Sequence, residues 1–167
     1  MAIISFEKIV GDKEAAEIPD GYRNLNWKNF WAWDDDIFPG PGFGNVLHSG
    51  EAVASNSFEN DKAERASFKS ADPRDEFDLN KGYFASAFQT EIELKVVGFD
   101  DGERVAKEVF LLDTDQELIK FGREFDDIDE VRFTAKGDNT PEPGDSFPAF
   151  FVVDDLFVKF VDDPFLT

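Results

Sequence analysis

Two carboxylates stand side by side in an otherwise apolar segment, Asp154 and Asp155 in FFVVDDLFVKF (150–160). Strand side chains alternate between faces, so at least one of the pair is expected to point into the interior. A buried carboxylate without a partner is costly and must meet a cation, a hydrogen-bond donor or a proton. Glu7 is the counterpart near the other end of the chain, in the apolar stretch IISFEKIV (3–10). If the first and last strands lie together, the three carboxylates converge. Hard oxygen ligands without His or Cys suit calcium, with backbone carbonyls and water completing the shell, whereas magnesium demands a stricter octahedron. The plainer alternative pairs Glu7 with Lys8 or Lys159 near a strand end. No EF-hand loop or glycine-rich nonapeptide repeat is present, so the expectation of calcium rests on strand context.

A second group of residues suits recognition. The segment IPDGYRNLNWKNFWAW (18–33) holds all three tryptophans, one of the two tyrosines and three asparagines. Flat aromatics bracketed by amides can stack on and hydrogen-bond a sugar or another planar ligand. The competing use is structural, with Tyr22, Trp27 and Phe30 forming the small core of a long connection, while Trp31 and Trp33 stay available. His48, in NVLHSG (45–50), is the lone histidine. A Ser-His-Asp relay would have to use it, but no G-x-S-x-G elbow accompanies it, so a structural or ligand-contacting role is expected. GPGFG (40–44) lacks the spacing and the strand–helix context of a dinucleotide fingerprint. Further aspartate pairs occur at 34–36, 100–101, 126–127 and 162–163. Those at 100–101 and 126–127 read as solvated turn residues. Paired carboxylates also serve glycosidases, but nothing in the sequence selects a pair.

These residues must be carried by strands. Short runs rich in β-branched and aromatic residues recur between Gly, Pro, Asp and Asn, with no long helical periodicity. Strands are predicted at 2–10, 46–54, 64–69, 77–88, 91–99, 103–113, 116–121, 128–136 and 148–160, with Asp101-Gly102 turning the clearest hairpin. Residues 11–45 read as an aromatic connection ending in a flexible Pro/Gly stretch, and 137–147 as an exposed loop. About nine short strands favour a sandwich or barrel. The 167 residues suit one domain, 1–167, and 41% hydrophobic residues with 20 phenylalanines predict a well-filled core.

The formal charge of -20 makes nucleic acid and anionic membrane surfaces poor partners. Zero cysteines exclude disulfides and thiolate chemistry. No segment approaches the roughly 20 apolar residues of a membrane span. The start, MAIISFEKIV, lacks the features of a signal peptide, so the chain reads as soluble, and as cytoplasmic or already trimmed.

The ordered elements FEKIV, IPDGYRNLNWKNF, HSGEAVASN, FDLNKGYFASAF, ELKVVGFDDGERVAKEVFLL, IDEVRF and FFVVDDLFV resemble a broad family of microbial β-sandwich domains. Its pattern includes P-x-G-Y-x-x-L-x-W-x-N-F and a closing F-x-x-D-D/N-L. The resemblance spans most of the chain. It implies an all-β antiparallel jelly roll similar to calcium-containing carbohydrate-binding modules, with a structural calcium between Glu7 and Asp154 or Asp155. The expected function is therefore a calcium-stabilised, non-catalytic carbohydrate-binding β-sandwich, contacting its ligand through Tyr22, Asn29, Trp31, Trp33, His48 and Tyr83. The alternative is a small-molecule cyclase or isomerase, by analogy with calcium-containing jelly-roll terpenoid cyclases, in which aromatic faces steady cationic charge and an acid donates a proton.

Overall fold

The computed structural model describes residues 2–11, 14–34, 41–59, 62–137 and 149–161. In chain order the elements are β1 (Ala2–Ile4), α1 (Glu7–Val10), β2 (Ala15–Glu17), β3 (Leu25–Lys28), β4 (Phe30–Asp34), α2 (Pro41–Asn45) and β5 (Ala52–Asn56). There follow β6 (Phe58–Glu59), β7 (Lys62–Ala63), β8 (Ala66–Ser70), β9 (Phe77–Ser86), β10 (Ile92–Asp100), β11 (Glu103–Leu112), β12 (Glu117–Lys120), β13 (Glu130–Gly137) and β14 (Phe151–Phe160). One sheet runs β12-β9-β14-β5-β4-β2, with β1 also paired to β14; the other runs β11-β10-β13-β8-β3. Every pairing is antiparallel. Two such sheets packed face to face make a β-sandwich, one of the two architectures that the strand pattern favours, and match the antiparallel jelly roll that the resemblance implies.

Alternation along the strands fills the space between the sheets with phenylalanine. Phe133 lies 5.8 Å from Phe30, 5.5 Å from Phe151 and 6.1 Å from Phe84, linking strands of both sheets. These edge-on and offset contacts add to the burial of large apolar side chains. The first and last strands do lie together: Ile4 pairs with Leu156 and Ala2 with Val158.

Three predicted elements differ. The run 2–10 is not one strand, because after Ile4 the chain turns through Phe6 into the helical turn Glu7–Val10, which ends at Gly11 with φ of 53°. Glu7 is therefore a helical residue. The run 46–54 is a strand only from Ala52; before it the chain loops from α2 across the outside of β14. Residues 11–45, predicted as a connection, supply β2, β3 and β4, whose short alternating patterns LNWK and FWAWD are interrupted by the left-handed Asn29 (φ 59°). Of the predicted flexible Pro/Gly stretch, Pro41–Asn45 is helical and 38–40 lies outside the described residues. Asp35 and Asp36, the pair at 162–163 and nearly all of the loop 137–147 also lie outside them. No helix among the described residues is long and apolar enough to cross a membrane.

Candidate functional site

The aspartate pair is positioned by a β-bulge. On β9, Tyr83 faces Asp154 and Gly82 faces Leu156, which leaves Asp155 as the extra residue, at φ of 52°. A bulge breaks strict alternation, and aspartate tolerates the left-handed region better than most residues. Both carboxylates therefore meet the same covering loop, 48–51, where simple alternation would have sent one into the core. Asp154 is fully buried and Asp155 is 2% exposed.

That loop supplies the donors. Asp154 Oδ2 accepts the backbone N–H of His48 at 2.7 Å and of Ser49 at 2.9 Å. Asp155 Oδ2 accepts the Ser49 hydroxyl at 2.6 Å and lies 2.7 Å from His48 Nδ1. The second oxygen of each, Oδ1, is buried with no hydrogen-bond partner. Burial pushes the Asp154 carboxyl up to about 6, against the downward pull of the Ser49 and His48 N–H groups.

Glu7 reaches the next turn of the same loop. Its carboxylate accepts the N–H groups of Glu51, at 3.0 Å and 3.1 Å, and Ala52, at 2.9 Å. Gly50 makes this possible: its φ is 66°, and a Cβ there would occupy the space of the Glu7 carboxylate. The structure thus brings Glu7, Asp154 and Asp155 onto one loop rather than into one coordination sphere. Among the described residues, the one group of three acidic side chains with ligand atoms within 4.8 Å of one another is Asp100, Asp101 and Asp129, a spacing that could hold a cation. The fit of calcium at the bulge accordingly rests on the two orphaned, buried Oδ1 atoms, which are hard anionic ligands without any other partner.

The predicted ligand contacts fall in three places. His48 and Tyr83 stack, with ring centroids 3.8 Å apart and planes at 11°, directly over the aspartate bulge. Trp31 and Trp33 project from the outer face of the same sheet, two strands from β14, and stack at 5.7 Å and 28°. The Trp33 indole N–H donates to the Ser55 hydroxyl at 2.8 Å, which fixes that ring. Between the two aromatic pairs lies a satellite apolar cluster, in which Phe43 and Val46 from the α2 segment cover Val53, Ala85 and Val152, with Trp33 packed against it. Gly42 lets α2 come this close, since a Cβ would strike the backbone of Ser86.

Tyr22 and Asn29 sit elsewhere. Tyr22 packs on the main core beside Trp27, and its hydroxyl donates to the Ser5 carbonyl. Asn29 holds the β3–β4 turn, its amide donating to the Arg65 carbonyl at 3.0 Å. Sequence reasoning missed Ser49 and Gly50. Their signal was HSGE itself, a small-residue turn beside the lone histidine, which became meaningful only once it was placed over the acids.

No protein-family model matches the chain, and no curated protein matches it. Among solved structures, it is similar to a DUF4465 family protein from Bacteroides caccae, at 12% identity and a TM-score of 0.66, over 97% of this chain and 99% of that one. Looser similarity, with TM-scores of 0.35 and 0.32, is found to TmCBM61 in complex with β-1,4-galactotriose (10% identity; 95% of this chain and 94% of that one) and to a CBM4 structure (12% identity; 79% and 86%). At 12% identity the likeness to the DUF4465 family protein shows a shared fold alone.

Proposed function

We propose that this chain is a non-catalytic, calcium-stabilised β-sandwich that binds a glycan through the outer face carrying Trp31 and Trp33. The observation that carries the reading is the indole pair itself: two half-buried rings, stacked on each other on the outer face of the sheet, with one oriented by Ser55. Such a platform offers flat apolar area at little entropic cost, which suits the faces of sugar rings. Calcium would be held by the unpartnered oxygens of Asp154 and Asp155, with Glu7 bracing the loop that closes over them. The ion's role there is to neutralise two buried charges and tie the 48–52 loop to the last strand, stabilising the fold by mass action.

The cyclase alternative needs an acid facing an apolar pocket. Asp154, whose carboxyl burial pushes up to about 6, lies wholly beneath His48 and Ser49, which favours binding over proton donation by it. Titration calorimetry against a panel of neutral oligosaccharides tests the proposal. Trp31→Ala is expected to remove binding while leaving the melting temperature within a degree or two. Full retention of glycan affinity in Trp31→Ala, or no affinity for any of the glycans in the native chain, overturns it.

A further inference from the structure

The outer face of the second sheet has a chemistry opposite to that of the chain. Alternation puts Leu94, Val96, Val131, Phe133, Phe68 and Trp27 inside. Lys95, Lys107, Arg132, Lys136, Lys69 and Lys28 are thereby turned outward. Glu93 and Glu130 share that face with them, Glu91 lies beside Leu111 and Lys136 at one end and Asp101 and Asp129 beside Lys69 at the other, and Glu130 is engaged by Arg132 at 2.9 Å. With Arg104, which pairs with the outward Phe99, these make seven cations against five carboxylates, leaving ten of the 17 basic residues against 32 of the 37 acidic ones for the rest of the chain. Arg132 stacks at 4.1 Å over the one aromatic ring of the face, Phe99, so no bare ring remains here for a sugar.

The rim of this face is β11, which ends the sheet and has a strand neighbour on one side alone among the described residues. Its outward residues include the most exposed large apolar side chains of the chain's longest edge: Val105 at 45%, Val109 at 48% and Leu111 at 63%. Lys107 stands between them. Edge strands usually guard their unpaired N–H and C=O groups with charge, bulges or cover. This edge, ten residues long, carries a bulge at Val105 and the charges of Glu103, Arg104 and Glu108, and beyond the bulge its outward side reads Lys107, Val109, Leu111.

We propose that β11 is a docking edge for an extended, acidic segment of a partner protein, which adds as a further antiparallel strand. Main-chain hydrogen bonds to the free edge supply affinity, and alternate side chains supply selectivity. An apolar residue of the partner lies across from Val109 and another from Leu111, and an acid lies across from or diagonal to Lys107. Lys95, Lys136 and Arg132 on the strands behind provide the field that selects an acidic segment and repels a basic one. A chain otherwise so acidic has no general reason to attract such a segment, so the attraction is local to this face. This surface is distinct from the indole pair and does not depend on the glycan reading.

The test uses the full chain and three probes: a labelled peptide whose alternate residues read valine, valine, glutamate along one strand face, its counterpart with lysine in place of that glutamate, and polygalacturonate. Fluorescence anisotropy is expected to show saturable binding of the glutamate peptide alone, weakening as salt is added. Lys107→Glu and Leu111→Asp, both exposed positions, are expected to weaken it by about tenfold or more. Lys28→Glu, at the far end of the face, and Trp31→Ala should change it less than about twofold. Amide exchange should slow at those β11 N–H groups that point away from β10. Equal binding of both peptides, or of neither, overturns the proposal. So does polygalacturonate binding that Lys28→Glu and Lys107→Glu weaken alike, which would make the whole face a site for a polyanionic sugar. Peptide-independent dimerisation abolished by Leu111→Asp would give the edge to a second copy and equally refute it.

Discussion

The molecule contains two clusters of aspartates that look alike in sequence and are handled in opposite ways. At the β9–β14 bulge, Asp154 and Asp155 are buried and receive two backbone N–H groups, a hydroxyl and an imidazole from one loop. At the β10–β11 hairpin, Asp100, Asp101 and Asp129 are exposed or half-exposed, and the hydrogen bond joining them is Asp101 N–H to Asp129 at 3.0 Å. There, partial burial and the neighbouring carboxylates Asp101, Asp129 and Asp127 raise the Asp100 carboxyl above its usual range. The first cluster is integral to the packing; the second is partly open to water, with Asp100 Oδ1 alone buried and unpartnered. Carboxylates become structural when backbone donors converge on them, whatever their number.

The sharpest way to break this comparison is to delete one acid from each cluster. Asp154→Ala strands two part-buried N–H groups and is expected to cost about 2–4 kcal/mol in denaturant unfolding, whereas Asp101→Asn, which keeps a residue tolerant of the φ of 50° there, should stay within about 0.5 kcal/mol. Equal costs would remove the distinction. Gly50→Ala belongs with the larger effect, since it both demands a positive φ of alanine and displaces the Glu7 carboxylate.

Calcium sharpens the comparison next. Excess calcium should raise the melting temperature by several degrees and chelation should reverse the gain. The gain should vanish in Asp154→Asn and Asp155→Asn and persist in Asp129→Asn. A gain that instead follows Asp129 would move the ion to the hairpin.

A smaller effect is expected from pH in calcium-free protein. Asp154 has its folded pKa raised to about 6 from 3.8, so the folded state binds the proton more tightly than the unfolded one. Its contribution is fully present below about pH 4 and is lost as pH rises through about 6. Thermal melts at pH 5 and pH 7 should therefore differ more in the native chain than in Asp154→Asn, and an identical pH profile in the two would contradict the assignment. Smallest of all, Asp101→Asn should stabilise by a few tenths of a kcal/mol at low salt, by relieving like-charge repulsion, and the gain should fade as salt is added.

Much of the sandwich was legible. The strands β8 to β14 follow alternating runs bounded by turn residues, and Asp101-Gly102 makes the predicted turn with φ of 50° and 80°. The region 2–45 was not, because its strands are three to five residues long, and while β2 pairs with β4, the strands β1, β3 and β4 gain partners from β14, β8 and β5. Glu7 was expected on the first strand, whereas it reaches the loop over the last strand from a helical turn. Tyr22 and Asn29 looked like contacts because their types suit recognition, and the structure employs both in bonds to backbone carbonyls.

By itself the sequence determined that this chain folds as antiparallel strands around a phenylalanine core, because alternation and turn chemistry are local properties. It also marked Asp154 and Asp155 as out of place in an apolar strand. Only the tertiary structure decided that a bulge turns both toward HSGE, that α2 separates the indole pair from the His48–Tyr83 stack, and that one face of an acidic protein is basic. Each of these depends on register and on which strands are neighbours, and those are set by contacts between residues remote in the chain.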